Sequence, residues 1–168
     1  LDQLLAEHGL SEADLTVVEL SPPEMPAALA QGQIAGYCVA EPFGAKSVVL
    51  GTGKVFARSD ELWPDSLCCA LVFNGRFLDQ NRSLAQQVVQ SYQQAGIYLT
   101  DHPEEQSRIA QQYLKAKDAV LALSLQWISY KDLAIRRPAY NELIRRMKQA
   151  ALINEAPAYE DFVDEAFR

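Results

Sequence analysis

The sequence predicts an α/β protein, with a mixed sheet flanked by helices in residues 1–74 and a mostly helical part in residues 75–168. Three observations predict it. Short β-branched runs alternate with short helical patterns in the first part, and apolar residues recur at three- and four-residue spacing in the second. A composition of 49% hydrophobic and 22% charged residues over a length of 168 suffices to pack a core.

The elements follow in order. Leu1 to His8 reads as a helix closed by Gly9, with Leu1, Leu4 and Leu5 on its buried side. Leu15 to Leu20 is a β-branched run and a predicted strand. Pro22-Pro23-Glu24 then punctuates the chain, and Met25 to Ala30 continues as a short helix ending at Gly32, because proline suits a first turn whose N–H groups are unpaired anyway. Ile34 to Val39 is a second strand, Glu41 to Leu50 a helix, Lys54 to Ala57 a third strand and Leu67 to Asn74 a fourth. Such a rhythm implies a parallel or mixed sheet with helices on its faces.

Beyond Asn74 the period changes. Leu84, Val88, Tyr92, Ala95 and Leu99 make one apolar stripe, and Asp101 with Pro103 and Glu104 has the pattern of a capping box opening the next helix. Val120, Leu123 and Trp127 form a further stripe, as do Tyr140, Leu143, Ile144, Met147 and Ala151. Tyr159 to Phe167 reads as a short amphipathic helix.

Charge and cysteine content exclude several function classes. The net charge is −7, and residues 1–65 hold ten acids against three bases, whereas the rest hold twelve of each. An acidic chain repels phosphate backbones, so nucleic acid is not an expected partner. The longest apolar run, Leu67 to Phe73, is far below the roughly 20 residues a membrane helix needs. Three cysteines without C-x-x-C or His-pair spacing give neither a disulfide framework nor a zinc ribbon. Adjacent Cys68 and Cys69 would point to opposite faces of a strand, and all three are expected as free thiols acting as small buried hydrophobes. His8 and His102, the two histidines, lack flanking residues resembling a catalytic signature and are expected in solvent. No enzyme, resident metal or cofactor is called for.

A binding edge is expected where the Ile34–Val39 strand runs into Glu41-Pro42-Phe43, because open α/β sheets bind ligands beyond the carboxyl ends of their strands. Pro42 biases Ala40 and Glu41 away from helical geometry, so that the Glu41 carboxylate and the first N–H groups of the helix face a common space. Free donors there suit an oxyanion. The carboxylate opposes one and suits a ligand with N–H donors or positive charge, unless Glu41 only caps its own helix. Cys38 and Tyr37 alternate, so one of them faces the site. Phe43, Ala40 and Trp63 complete the set, with Met25 at an equivalent loop-to-helix turn.

Gly36-Tyr37-Cys38-Val39-Ala40-Glu41-Pro42-Phe43, Leu62-Trp63-Pro64 and Cys68-Cys69-Ala70-Leu71-Val72 together resemble the cleft-lining core of extracytoplasmic substrate-binding proteins of ABC importers, in the nitrate/sulfonate/taurine and thiamine-pyrimidine (NMT1/THI5-like) group. The resemblance runs nearly end to end but matches only the C-terminal portion of such proteins. It implies part of a type II periplasmic-binding-protein fold, with residues 1–74 in the ligand-binding lobes and residues 75–168 packing on them. It further implies a small solute (oxyanion, sulfonate or pyrimidine-like) held in an interlobe cleft without chemistry, and an ABC permease as partner. Localisation would be periplasmic or extracytoplasmic, with an export signal or tether in a missing upstream segment. In related transporters the Glu-Pro-aromatic and Trp-Pro segments lie near the cleft, which matches Glu41-Pro42-Phe43 and Trp63-Pro64. Nitrate-type members often carry Asp-Pro-Trp, so Glu41 and Phe43 depart from their pattern and weaken nitrate as the ligand. The same fold also serves as a ligand-sensing domain fused to a transporter ATPase or a transcription regulator. Arg136-Arg137 and Arg145-Arg146 are expected as a solvated helical face in preference to a permease-docking patch.

Overall fold

Helix ends follow glycine and proline through most of residues 2–167, which the computed structural model describes. Helix α1 (Asp2–Glu7) buries Leu5 and gives way to Gly9 at φ +69°, the left-handed conformation that glycine adopts without a Cβ penalty. The expectation for Leu1 lies outside the described residues. Helix α2 (Met25–Ala30) carries a buried proline, Pro26, in its first turn, and α3 (Phe43–Val49) follows the Glu41–Pro42 bond, which is cis. After the single turn α4 (Ser59–Leu62) comes the long α5 (Gly75–Asp101), broken at Asn81, where φ is −137° and the side-chain amide donates to the Phe77 carbonyl at 3.1 Å. Helices α6 (Pro103–Ala110), α7 (Asp118–Ser124), α8 (Arg137–Gln149) and α9 (Tyr159–Phe162) complete the series. The last predicted helix is interrupted: α9 stops at Phe162, and a separate 3₁₀ turn covers Glu165–Phe167.

The predicted mixed sheet is not formed. Residues 15–20, 34–39, 54–57 and 67–74 are largely extended, but among the described residues they make no ladder. Extended backbone becomes a strand only when a neighbour takes its N–H and C=O groups, and these segments do not pair with one another. Val17, Val18, Leu71 and Val72 stand exposed along them, as does Phe56 at 84% of its surface.

Two compact units divide the chain: residues 1–16, 58–95 and 132–168 form one, and residues 17–57 and 96–131 the other. The boundary expected at residues 74/75 falls inside the 58–95 segment. In the first unit, Tyr140 and Tyr159 are buried edge to face at 5.7 Å between ring centres, and their hydroxyls donate to the carbonyls of Pro157 and Ile135, each at 2.7 Å. These bonds let two phenols enter a core without leaving a polar atom unpaired. In the second unit α3 packs on both α2 and α7, burying Ala28, Ala45, Val120 and Leu121. Small residues allow that approach. A Cβ on Gly53 would come within 2.8 Å of Leu29 Cδ2 and 3.2 Å of Ser47 Cβ.

Three further expectations are corrected. The α5 stripe exists as spacing, but Leu84, Val88 and Tyr92 are exposed, and the helix buries Ala85 and Gly96. Asp101 does not open a capping box: it is the last residue of α5, His102 occupies the cap of α6 without a side-chain cap bond, and Gln106 Nε2 donates back to the Leu99 carbonyl at 2.7 Å. The three cysteines are exposed, not buried. Both histidines are exposed, as expected.

Candidate ligand-binding site

The site is built from the alternation of an extended segment. Tyr37 and Val39 are half-buried while Cys38 and Ala40 are exposed, so successive side chains leave the backbone on opposite sides. Tyr37 is therefore the inward member of the Tyr37/Cys38 pair. Its hydroxyl donates to the Phe43 carbonyl at 2.9 Å, and the hydroxyl of buried Ser47 lies 2.6 Å away, positioned to donate to the phenol oxygen. Ser47 in turn offers its carbonyl to the N–H groups of Thr52 (3.0 Å) and Gly53 (3.2 Å). One tyrosine thus ties the incoming segment to the first and second turns of α3. The alternation separated Tyr37 from Cys38 in the sequence, whereas neither this role of Tyr37 nor that of Ser47 was legible there.

Glu41 curls over the first turn of α3. Its Oε2 accepts the Ala45 N–H at 3.1 Å, and its Oε1 lies 2.5 Å from where a Cβ on residue 44 would stand, so the carboxylate occupies space that only Gly44 leaves open. This is a capping interaction. It is the capping role that the sequence left open for Glu41, and it occupies the Ala45 N–H.

Phe43 and Met25 are half-buried at the starts of α3 and α2, two helices that pack together in the second unit, which also holds Cys38, Ala40 and Glu41. Glu24, beside Met25, is held by Ser21 through its hydroxyl (2.5 Å) and its backbone N–H (3.2 Å), bonds that lower the Glu24 carboxyl from its ordinary value. Trp63 belongs to the first unit, where the Arg146 guanidinium lies 4.6 Å from its ring centre.

Two open grooves lie elsewhere, and neither is lined by a residue expected to bind ligand. One of about 400 Å³ runs beside α8, between Tyr140, Arg145, Lys148 and Tyr159, and one of about 280 Å³ lies by Gln106 and Tyr130. No group of three or more histidine, cysteine or acidic side chains able to hold a metal occurs among the described residues.

The four arginines at the start and along the length of α8 are all paired within the protein. Glu142 accepts from Arg145 (2.7 and 2.6 Å) and Arg146 (2.6 Å), bonds that pull its carboxyl down to about 2. Arg136 pairs with Asp132, and Arg137 with Glu160.

Comparison with known proteins gives the following. The profile of the NMT1-like family matches residues 1–114. Over 100 residues, 58% of this chain and 22% of the relative, the sequence is 31% identical to the nitrate/nitrite binding protein NrtA of Synechococcus elongatus. A crystal structure of a ligand-binding component of an ABC-type import system from Staphylococcus aureus, with zinc bound, superposes with a TM-score of 0.88 at 39% identity, over 99% of this chain and 58% of that one. The chain thus spans well under two thirds of both proteins, and its fold is part of a periplasmic-binding-protein fold.

Proposed function

Because the chain belongs to the NMT1-like family, whose relatives here are ligand-binding components for import, we propose that it serves an ABC importer by binding a small solute on the Glu41 edge. Binding involves no chemistry, the site is extracytoplasmic and the permease is the downstream partner. Cys38, Ala40, Glu41, Phe43 and Met25 supply the contacts. The solute offers hydrogen-bond donors or positive charge, as an aminopyrimidine does, in preference to nitrate or a sulfonate.

One observation carries this reading: the half-buried Glu41 carboxylate uses one oxygen on the Ala45 N–H at the start of α3, which leaves its negative charge and further acceptor capacity at this edge. An anion there would meet like charge, whereas a charge-assisted hydrogen bond from an N–H donor contributes about 1.5–3 kcal/mol.

The test is an amide chemical-shift titration of the chain with 4-aminopyrimidine, taurine and nitrate in turn, which registers millimolar binding. The expected result is shifts at Cys38, Ala40, Glu41 and Phe43 with the aminopyrimidine alone. Shifts at this edge from nitrate, or aminopyrimidine shifts confined to the α8 groove, would overturn the assignment.

A further inference from the structure

Cys68 and Cys69 are neighbours on the extended segment 67–74 of the first unit, and their sulfurs are 3.6 Å apart. Adjacent residues of an extended chain send their side chains to opposite faces, so the two thiols have turned toward each other against the alternation expected from the sequence. The Cys69 thiol donates a hydrogen bond to the Cys68 sulfur. This spacing belongs to two consecutive residues and does not depend on what packs over the segment.

The geometry favours a bridging atom over a direct bond. A disulfide usually spans about 4.4–6.8 Å between Cα atoms, whereas neighbours joined by a trans peptide stand about 3.8 Å apart, so closing an S–S bond here meets strain. Thiolate chemistry is disfavoured as well. The hydrogen bond with Cys69, and then burial, raise the Cys68 thiol above its ordinary value, so that it keeps its proton at neutral pH. By contrast, one central atom bonded to two sulfurs at about 2.3 Å, with about 100° between the bonds, sets them about 3.5 Å apart. That bite is the one observed. No group of three or more histidine, cysteine or acidic side chains occurs among the described residues, so the four protein ligands of a structural zinc site are not supplied. A trivalent metalloid, soft and thiophilic, carries its own third substituent and requires only two sulfurs.

We infer that Cys68 and Cys69 form a bidentate site for a trivalent metalloid of the class of arsenous and organoarsonous acids. Binding is a condensation. Each thiol gives up its proton, two As–O bonds break, two As–S bonds form, and the two hydroxyls leave with the two protons as water. Arsenic stays trivalent throughout, so neither an oxidant nor a reductant takes part. The site lies in the first unit, is separate from the Glu41 edge of the second, and is independent of which solute binds there.

The experiment titrates the reduced 168-residue chain with phenylarsine oxide, which hydrates to an arsonous acid, and follows it by calorimetry, intact mass and maleimide labelling read by peptide. We expect one phenylarsenic group per chain and loss of both maleimides from the peptide carrying Cys68 and Cys69. Cys38, the lone thiol of the second unit, should still label. A dithiol such as 2,3-dimercaptopropanol should release the group, whereas 2-mercaptoethanol at equal thiol concentration should not. C68S and C69S should each bind at least roughly 100-fold more weakly, because the second As–S bond is then no longer intramolecular. The labelling pattern of the unsubstituted chain stands as a second reading should either variant fail to fold. Undiminished affinity in C68S or C69S, loss of labelling at Cys38 instead of the pair, or an adduct that joins two chains would each overturn the inference.

Discussion

Glu41 is a cap and, in the proposed function, the acceptor for the ligand, and substitutions separate the two roles. A glutamine side chain keeps an oxygen for the Ala45 N–H, whereas alanine removes it, so E41A should cost about 0.5–2 kcal/mol of stability and E41Q much less, read from urea midpoints. G44A should behave like E41A, because its Cβ would displace Oε1, and the double substitution should cost less than the sum. Tyr37 offers a cleaner stability test. Y37F deletes the phenol that links the Phe43 carbonyl to buried Ser47, and should lose about 1–3 kcal/mol with an unchanged denaturant slope. A loss within about 0.3 kcal/mol would mean that this link does not hold α3 in place.

At the scale of elements, the helices were the legible part of the sequence and the sheet was not. Gly9, Gly32 and Gly51, all at positive φ, punctuate the chain where helices end, and the spacing of Tyr140, Leu143, Ile144 and Met147 marks α8 because a helix satisfies its own backbone. A strand is completed only by a neighbour. The β-branched run at 15–20 and the apolar run at 67–74 therefore mark an extended backbone without fixing what pairs with it. The α5 stripe misled for the same reason: spacing identifies an apolar face, but burial needs a second surface. Cys38 and Ala40 were legible as one face of a segment, while the Tyr37–Ser47 bond was not, since it joins residues whose proximity depends on how the chain turns at Pro42.

Besides Glu24, two lowered carboxyls lie on or near α8. The Glu142 carboxyl is held near 2 by Arg145 and then Arg146, and that of Glu160 is lowered by its own backbone N–H and then by Arg137. Both folded values lie below the ordinary glutamate value of about 4.3, so their contribution is present above that value and fades as pH falls through the folded values. Trp63, under Arg146, reports the change. In W127F, which leaves Trp63 as the single tryptophan, emission should shift between about pH 4.5 and 2. E142Q should flatten that profile, whereas an identical profile in E142Q would show that other carboxylates govern it.

At the scale of the molecule, the first part is acidic, the composition is that of an ordinary globular protein, and no helix among the described residues is long and apolar enough to cross a membrane. The chain passes between its two compact units at 16/17, 57/58, 95/96 and 131/132. Substituting serine for Leu84, Val88 and Tyr92 together should cost the lone chain about 1 kcal/mol per site, because each of these side chains still buries about half of its surface. A large loss in urea denaturation would mean that the stripe is covered in solution.

The most direct measurement is the dissociation constant of 4-aminopyrimidine for the native chain and for E41Q, taken from amide chemical shifts at one pH, with melting temperatures recorded alongside. Loss of one charge-assisted hydrogen bond predicts affinity at least roughly tenfold weaker in E41Q, with melting little changed because the glutamine oxygen still caps α3. Equal affinity in the two proteins would contradict the account, and would leave Glu41 as a helix cap alone.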